Sequence, residues 1–172
     1  MKKYLLLSLL PLTAMAAPSL KGFEKTYQDW DLICDNSGSC NMAGYPEYYS
    51  EHPVSILFTR SAGEQAPVTA QLALLPDDVG NKTAEIILNG QSLGTVPNIS
   101  EDGNAKLSEK QTTELLTALK GNASIEVIFG EFKEKVSDKG AAAAMLKMDE
   151  FQQRLNTPSA LIRQGQEKHA VL

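Results

Sequence analysis

The sequence predicts an α+β domain dominated by antiparallel sheet, curved or folded into a sandwich, with two helices. Three observations carry that expectation. Strand-length runs of alternating polarity recur between residues 26 and 137. Turn-forming strings separate them, and Asn89-Gly90 is the strongest two-residue hairpin signal in the chain. The apolar period lengthens to that of a helix only twice, near residues 108–121 and 139–155. Strands, helix, strands, helix and a last short strand group into mixed layers rather than alternating βαβ units.

Residues 26–34 (TYQDWDLIC) place Gln28, Trp30, Leu32 and Cys34 on one side. Apart from its first member that set is apolar, so one strand burying Trp30, Leu32 and Cys34 is expected. Asp35-Asn36-Ser37-Gly38-Ser39 is a turn string, and residues 40–45 read as the hairpin partner. Residues 45–53 form a loop bracketed by Pro46 and Pro53. Strands follow at 54–60 and 68–75, the second stopped by Pro76-Asp77-Asp78, and a hairpin at 84–88 and 91–96. Ser108 and Gln111 form a capping box, with Leu115, Leu116 and Leu119 as the packing stripe. Gly121 is placed to end that helix in the left-handed conformation. Residues 124–130 return to strand. Residues 131–137 extend or pair with it, Lys133 and Lys135 alternating as on an edge strand. The second helix covers 139–155, capped by Asp138, with Ala141, Ala144, Met148, Phe151 and Leu155 on its packing face and Glu150 paired to Arg154 outside. Asn156-Thr157-Pro158 stops it, and 159–163 is a last short strand.

Residues 1–16 have a basic start at Lys2 and Lys3, an apolar run and an Ala14-Met15-Ala16 cleavage pattern, in the order of a secretory signal peptide. The run is too short to cross a bilayer, which takes roughly 20 residues. The expectation is a cleaved leader, a single domain at 17–165, a polar tail at 166–172, and a periplasmic or secreted location in a Gram-negative bacterium, with no membrane span in the mature protein. Losing two of the 16 basic residues leaves 14 against 21 acidic ones, a formal −7. That balance argues against nucleic acid, whose phosphates repel carboxylates. N-x-S/T triplets at Asn81, Asn98 and Asn122 are read as chance in a bacterial chain.

Cys34 and Cys40 are the only cysteines, close together across a turn, and in an oxidising compartment a disulfide is expected. Two thiols with His52 and His169 make a poor metal set, and C-x-x-C redox spacing is absent, so neither metal nor cofactor is expected. Trp30 is expected to pack in the core beside the disulfide. Tyr45, Tyr48, Tyr49 and His52 form an aromatic loop suited to binding, or alternatively folded over the core. Asp149, Gln152 and Arg154 lie on or beside the polar face of the second helix, as a recognition surface, as braces for the following turn, or, for Asp149 near Lys147 and Arg154, as a structural charge cluster. No catalytic constellation is assigned. His52 near Ser50, Glu51 and Ser55 has neighbours in sequence only.

Two segments, DWDLICDNSGSCNMAGY (29–45) and GAAAAMLKMDEFQQRLNTPSALIRQG (140–165), resemble the bacterial secreted family called domain of unknown function 1176, grouped with invasion-associated locus B (IalB-like) proteins. Asp29, Trp30, Cys34, Asp35, Asn36 and Cys40 match the first motif. Ala143, Ala144, Leu146, Met148, Asp149, Gln152, Arg154 and Thr157 match the second, with Asn156 where the family pattern has Gly. The resemblance implies an immunoglobulin-like sandwich core and brings no established activity. Longer members carry a second domain, and this chain stops where it would begin. The resulting expectation is a secreted, non-enzymatic binding protein for an unknown protein or envelope ligand. The alternatives are an envelope-acting hydrolase or an inhibitor of a basic enzyme such as lysozyme.

Overall fold

The computed structural model describes residues 20–76 and 83–166. The expected signal peptide, Asp77-Asp78, Asn81, His169 and nearly all of the polar tail lie outside the described residues. The chain runs β1 (Phe23–Tyr27), β2 (Trp30–Cys34), β3 (Cys40–Gly44), β4 (Ser55–Arg60), β5 (Val68–Ala73), β6 (Ala84–Leu88), β7 (Gln91–Val96), β8 (Asn104–Lys106), α1 (Glu109–Ala118), β9 (Ile125–Phe129), β10 (Phe132–Val136) and α2 (Ala141–Phe151). Six strands form one sheet in the order β1-β2-β3-β4-β5-β8, and four form another in the order β10-β9-β6-β7. Every pairing is antiparallel. The result is the predicted α+β class, an open sandwich-like arrangement rather than a closed barrel.

Alternation builds the core. Trp30, Leu32 and Cys34 of β2 are buried as their spacing predicts, and Met42, Ile56, Phe58 and Leu72 face the same interior from β3, β4 and β5. Ile86 and Val127 enter from the second sheet, Leu115 from α1, and Met145 and Met148 from α2, in one continuous cluster. Helix α2 lies across β2, with β1 and β3 on either side. Among the described residues no helix is long and apolar enough to cross a membrane.

Several local expectations need correction. The single strand over 26–34 is two strands, because Gln28 adopts φ 53 and turns the chain in a two-residue hairpin that pairs Tyr27 with Trp30. Strand β8 is only three residues long, too short to show alternation, and is recognised by its partner β5. The Ser108 capping box forms, but α1 closes on Leu119 in right-handed geometry, φ −68, rather than on a left-handed Gly121. Asp138 does not cap α2 with its side chain: its carboxylate accepts from Ala123 N at 2.8 Å, and its carbonyl accepts from Ala141 N. Helix α2 ends at Phe151, short of 155. Gln153 at φ 56 reverses the chain, with Gln153 N donating to Glu150 O and Arg154 N to Asp149 O, the paired bonds of a Schellman stop. Glu150 pairs with Lys147, not Arg154. Residues 159–163 form no strand: Ser159 O, Leu161 N and Ile162 N bond to the Arg60 and Asp149 side chains, and Ala160 N and Arg163 O make local backbone bonds to Thr157 and Asn156.

Trp30 stacks on Phe58, with ring centroids 6.0 Å apart, and sits at the opposite end of β2 from Cys34. Gly44 lies across from it in the register, and a Cβ there would stand 2.3 Å from the indole. Gly44→Ala therefore overpacks the core, with an expected loss of about 1–3 kcal/mol or more. A urea midpoint unchanged from the parent protein would show that the ring can move aside.

Candidate functional site

The two family-like segments meet in a buried polar knot. Residues 54, 56, 58 and 60 of the β4 region all face inward, so Arg60 follows three apolar side chains into the core. Its guanidinium donates through Nη2 to Asp149 Oδ1 at 2.7 Å, through Nε to Gln152 Oε1, and through Nη1 to Ser159 O at 3.2 Å. Asp149 is fully buried, and its other oxygen accepts from Leu161 N at 2.7 Å and Ile162 N at 3.0 Å. Burial pushes Arg60 below its usual value, while the hydrogen bond and charge of Asp149 push it back up. Gln152 Nε2 then reaches Gly38 O at 2.7 Å and Arg60 O at 3.0 Å.

Gly38 belongs to the hairpin turn that the Cys34–Cys40 disulfide closes. In that turn Asp35 Oδ1 accepts from Ser37 Oγ at 2.6 Å, Ser37 N at 2.8 Å and Ser39 N at 3.1 Å. The Ser37 hydroxyl leads the causes that hold the Asp35 carboxyl below its usual range. The family-matching residues Asp35, Asp149 and Gln152 therefore brace the fold. Asn156, where Gly was expected, adopts φ 62, a left-handed conformation that asparagine tolerates better than most residues.

A second clasp holds the start of β2. Trp30 Nε1 donates to Ser137 O at 2.8 Å, and Ser137 Oγ donates to Asp29 Oδ2 at 2.6 Å. Tyr45 N donates to Asp29 O, Ser137 N to Tyr45 O, and Asp29 N to Lys139 O. Gly140, at φ 95, passes so close to Tyr27 that a Cβ would stand 1.8 Å from its carbonyl oxygen.

The tyrosine loop starts at Tyr45, whose backbone the second clasp holds, and its side chains extend beyond it. Tyr45 is 41% exposed, Tyr48 78% and Tyr49 92%. The burial that Tyr45 does have, followed by the charge of Asp31, raises its phenol above the usual value. Tyr48 and Tyr49 border a groove of about 600 Å³ whose far wall includes Lys133, Lys135 and Ser137. That wall is β10, the terminal strand of its sheet, paired on one side to β9, and the residues just after it. Lys139 bonds to Glu47 at the base of the loop, which raises the lysine and lowers the carboxylate relative to their ordinary values. His52 is part-buried with its ring stacked on Phe132, centroids 3.7 Å apart, which makes it a packing residue at the foot of the loop.

The predicted site residues thus divide. Tyr45, Tyr48, Tyr49 and His52 belong to one loop, and the structure joins them to β10, which sequence reasoning had read only as an edge. Asp149, Gln152 and Arg154 cluster elsewhere, around Arg60, which the sequence reading missed. The inward parity of positions 54, 56, 58 and 60 was the available signal. Another groove, of about 610 Å³ between β5, α1 and residues 158–161, had no sequence signal. Among the described residues no group of His, Cys, Asp and Glu is placed to hold a metal ion.

These features define a β-rich, disulfide-closed domain held by internal polar braces at Asp29, Asp149 and Gln152. The chain belongs to the family described as Protein of unknown function (DUF1176), which matches residues 24–172. No curated protein and no solved structure matches it.

Asp149→Ala leaves Arg60 buried without its carboxylate, and should cost about 3–5 kcal/mol in urea melts. Met148→Ala, an apolar truncation one residue away, should cost about 2–4 kcal/mol. An Asp149→Ala loss below 1 kcal/mol would mean the buried pair is dispensable. Denatured, unreduced protein should show no reactive thiol, and because the disulfide loop is short, reduction should lower stability by only about 2–3 kcal/mol.

Proposed function

We propose that this chain is an exported, non-enzymatic binding domain that engages a polypeptide partner along the groove between the tyrosine loop and β10. The single observation that carries the reading is the exposure of Tyr48 and Tyr49 beside an open sheet edge. An exposed tyrosine offers a large apolar face at low entropic cost, and such rings dominate many binding surfaces once buried. An edge strand offers backbone donors and acceptors to an extended segment. Lys133 and Lys135 guard the same edge against unselective pairing. Their charges are shared with Glu126, at 2.8 Å from Lys133 and 3.9 Å from Lys135.

Export is supported by the signal-like residues 1–16 and by a disulfide, which persists in oxidising compartments. The resemblance to IalB-like proteins supports the same class, an exported interaction domain. The test is capture from periplasmic extract by immobilised protein. The Tyr48→Ala/Tyr49→Ala double variant should keep the parental urea midpoint and lose at least tenfold in partner recovery. Equal recovery by both proteins would remove the tyrosine loop from the interface.

A further inference from the structure

We propose that the cavity at the C-terminal end of α2 is a binding site for a small oxyanion, a carboxylate or a phosphate group, with Arg154 as its principal donor. This site is separate from the tyrosine groove. Its volume is about 580 Å³, and its lining includes Glu64, Gln152, Gln153, Arg154, Thr157 and Ser159.

Arg154 is only 6% exposed. A guanidinium carries five N–H donors and a permanent positive charge. Among the described residues it makes one side-chain hydrogen bond, Nη1 to Ser159 Oγ at 3.0 Å, and has no carboxylate within ion-pair distance. The nearby buried carboxylate, Asp149, is already engaged by Arg60 and by two backbone N–H groups. Arg154 therefore has no ion-pair partner of its own among the described residues, and its charge acts on Arg60 to lower its pKa. Glu64 contributes to the wall, but its residue is exposed, and its backbone carbonyl is what accepts Ser159 Oγ, at 3.2 Å.

The backbone holds Arg154 in place independently of its charge. Arg154 N donates to Asp149 O at 2.6 Å in the Schellman stop, and Arg154 O accepts from Thr157 Oγ1 at 2.7 Å. A buried, under-paired cation is costly in a fold that gains nothing from it. Fixed beside a cavity, the same group is ready to grip an oxyanion, because its planar fork matches two oxygens at once. Gln153, Thr157 and Ser159 line the same cavity, the two hydroxyls donating to Arg154 O and Glu64 O.

The experiment is thermal melting of the full chain with increasing sodium phosphate or sodium acetate, each against sodium chloride at equal ionic strength. A ligand that binds the folded state raises the midpoint in a saturable way. A saturable rise with either anion, weakened at least tenfold in apparent affinity by Arg154→Gln, supports the site. Which anion acts identifies the chemistry. Arg154→Lys, which keeps the charge without the fork, should fall between. Should Arg154→Gln fail to fold, nitrogen-15 NMR of the unsubstituted protein decides: an arginine Nε–H resonance that shifts saturably supports the proposal, and constant resonances overturn it. No saturable rise with either anion, or an equal rise in Arg154→Gln, also overturns it.

Discussion

The constraint on which the rest of the structure depends is the burial of Asp149 against Arg60. A carboxylate removed from water is tolerated only if its lost solvation is replaced, and here three donors replace it: one guanidinium N–H and two backbone N–H groups. Each donor comes from a different stretch of chain than the helix that carries Asp149. Satisfying this one group therefore sets the end of β4, the C-terminal end of α2 and the path of residues 159–162 relative to one another. Gln152 extends the constraint to the disulfide hairpin through the Gly38 carbonyl. A pair of this kind contributes little net stability over an apolar alternative, but its geometry admits few arrangements.

The clasp formed by Asp29, Trp30 and Ser137 does comparable work at the other end of β2. It bonds the first hairpin to the connection between β10 and α2, 107 residues away for the indole bond. The first lock brings residues 29–45 and 140–165 together, through the bond from Gln152 to Gly38. Within them Trp30, Asp149 and Arg154 are buried and Gln152 bonds inward to Arg60 and Gly38, whereas Asp35 and Asn36 lie exposed on the disulfide turn. Tyr48 and Tyr49, the most exposed rings of the tyrosine loop, lie outside those two segments. Arg154 is a motif residue with more donors than the described interior engages.

How much of this was legible beforehand varied with the range of the interaction. The disulfide could be read because both cysteines flank one turn, and the buried face of β2 because alternation is a local geometric property. The capping box at Ser108 and the hairpin at Asn89-Gly90 were readable for the same reason, as each is complete within a few residues. Gln28 was missed because nothing in its chemistry favours a left-handed turn; the bonds of Asp29 to Tyr45, Ser137 and Lys139 accompany that turn. The end of α2 was missed similarly, since Gln153 stands where glycine would have announced the stop.

The sequence by itself determined the α+β class, the disulfide, the inward set Trp30, Leu32 and Cys34, and the tyrosine loop as an unusual cluster. Those follow from periodicity, spacing and composition, which depend on neighbours along the chain. Only the tertiary structure decided that Asp149 is an interior brace and not a surface charge, that Arg60 is its partner 89 residues distant, and that the tyrosine loop faces β10. Helical periodicity shows which side a residue occupies, but not whether a matching charge waits there. That depends on which distant strand the fold delivers, and here β4 delivers an arginine.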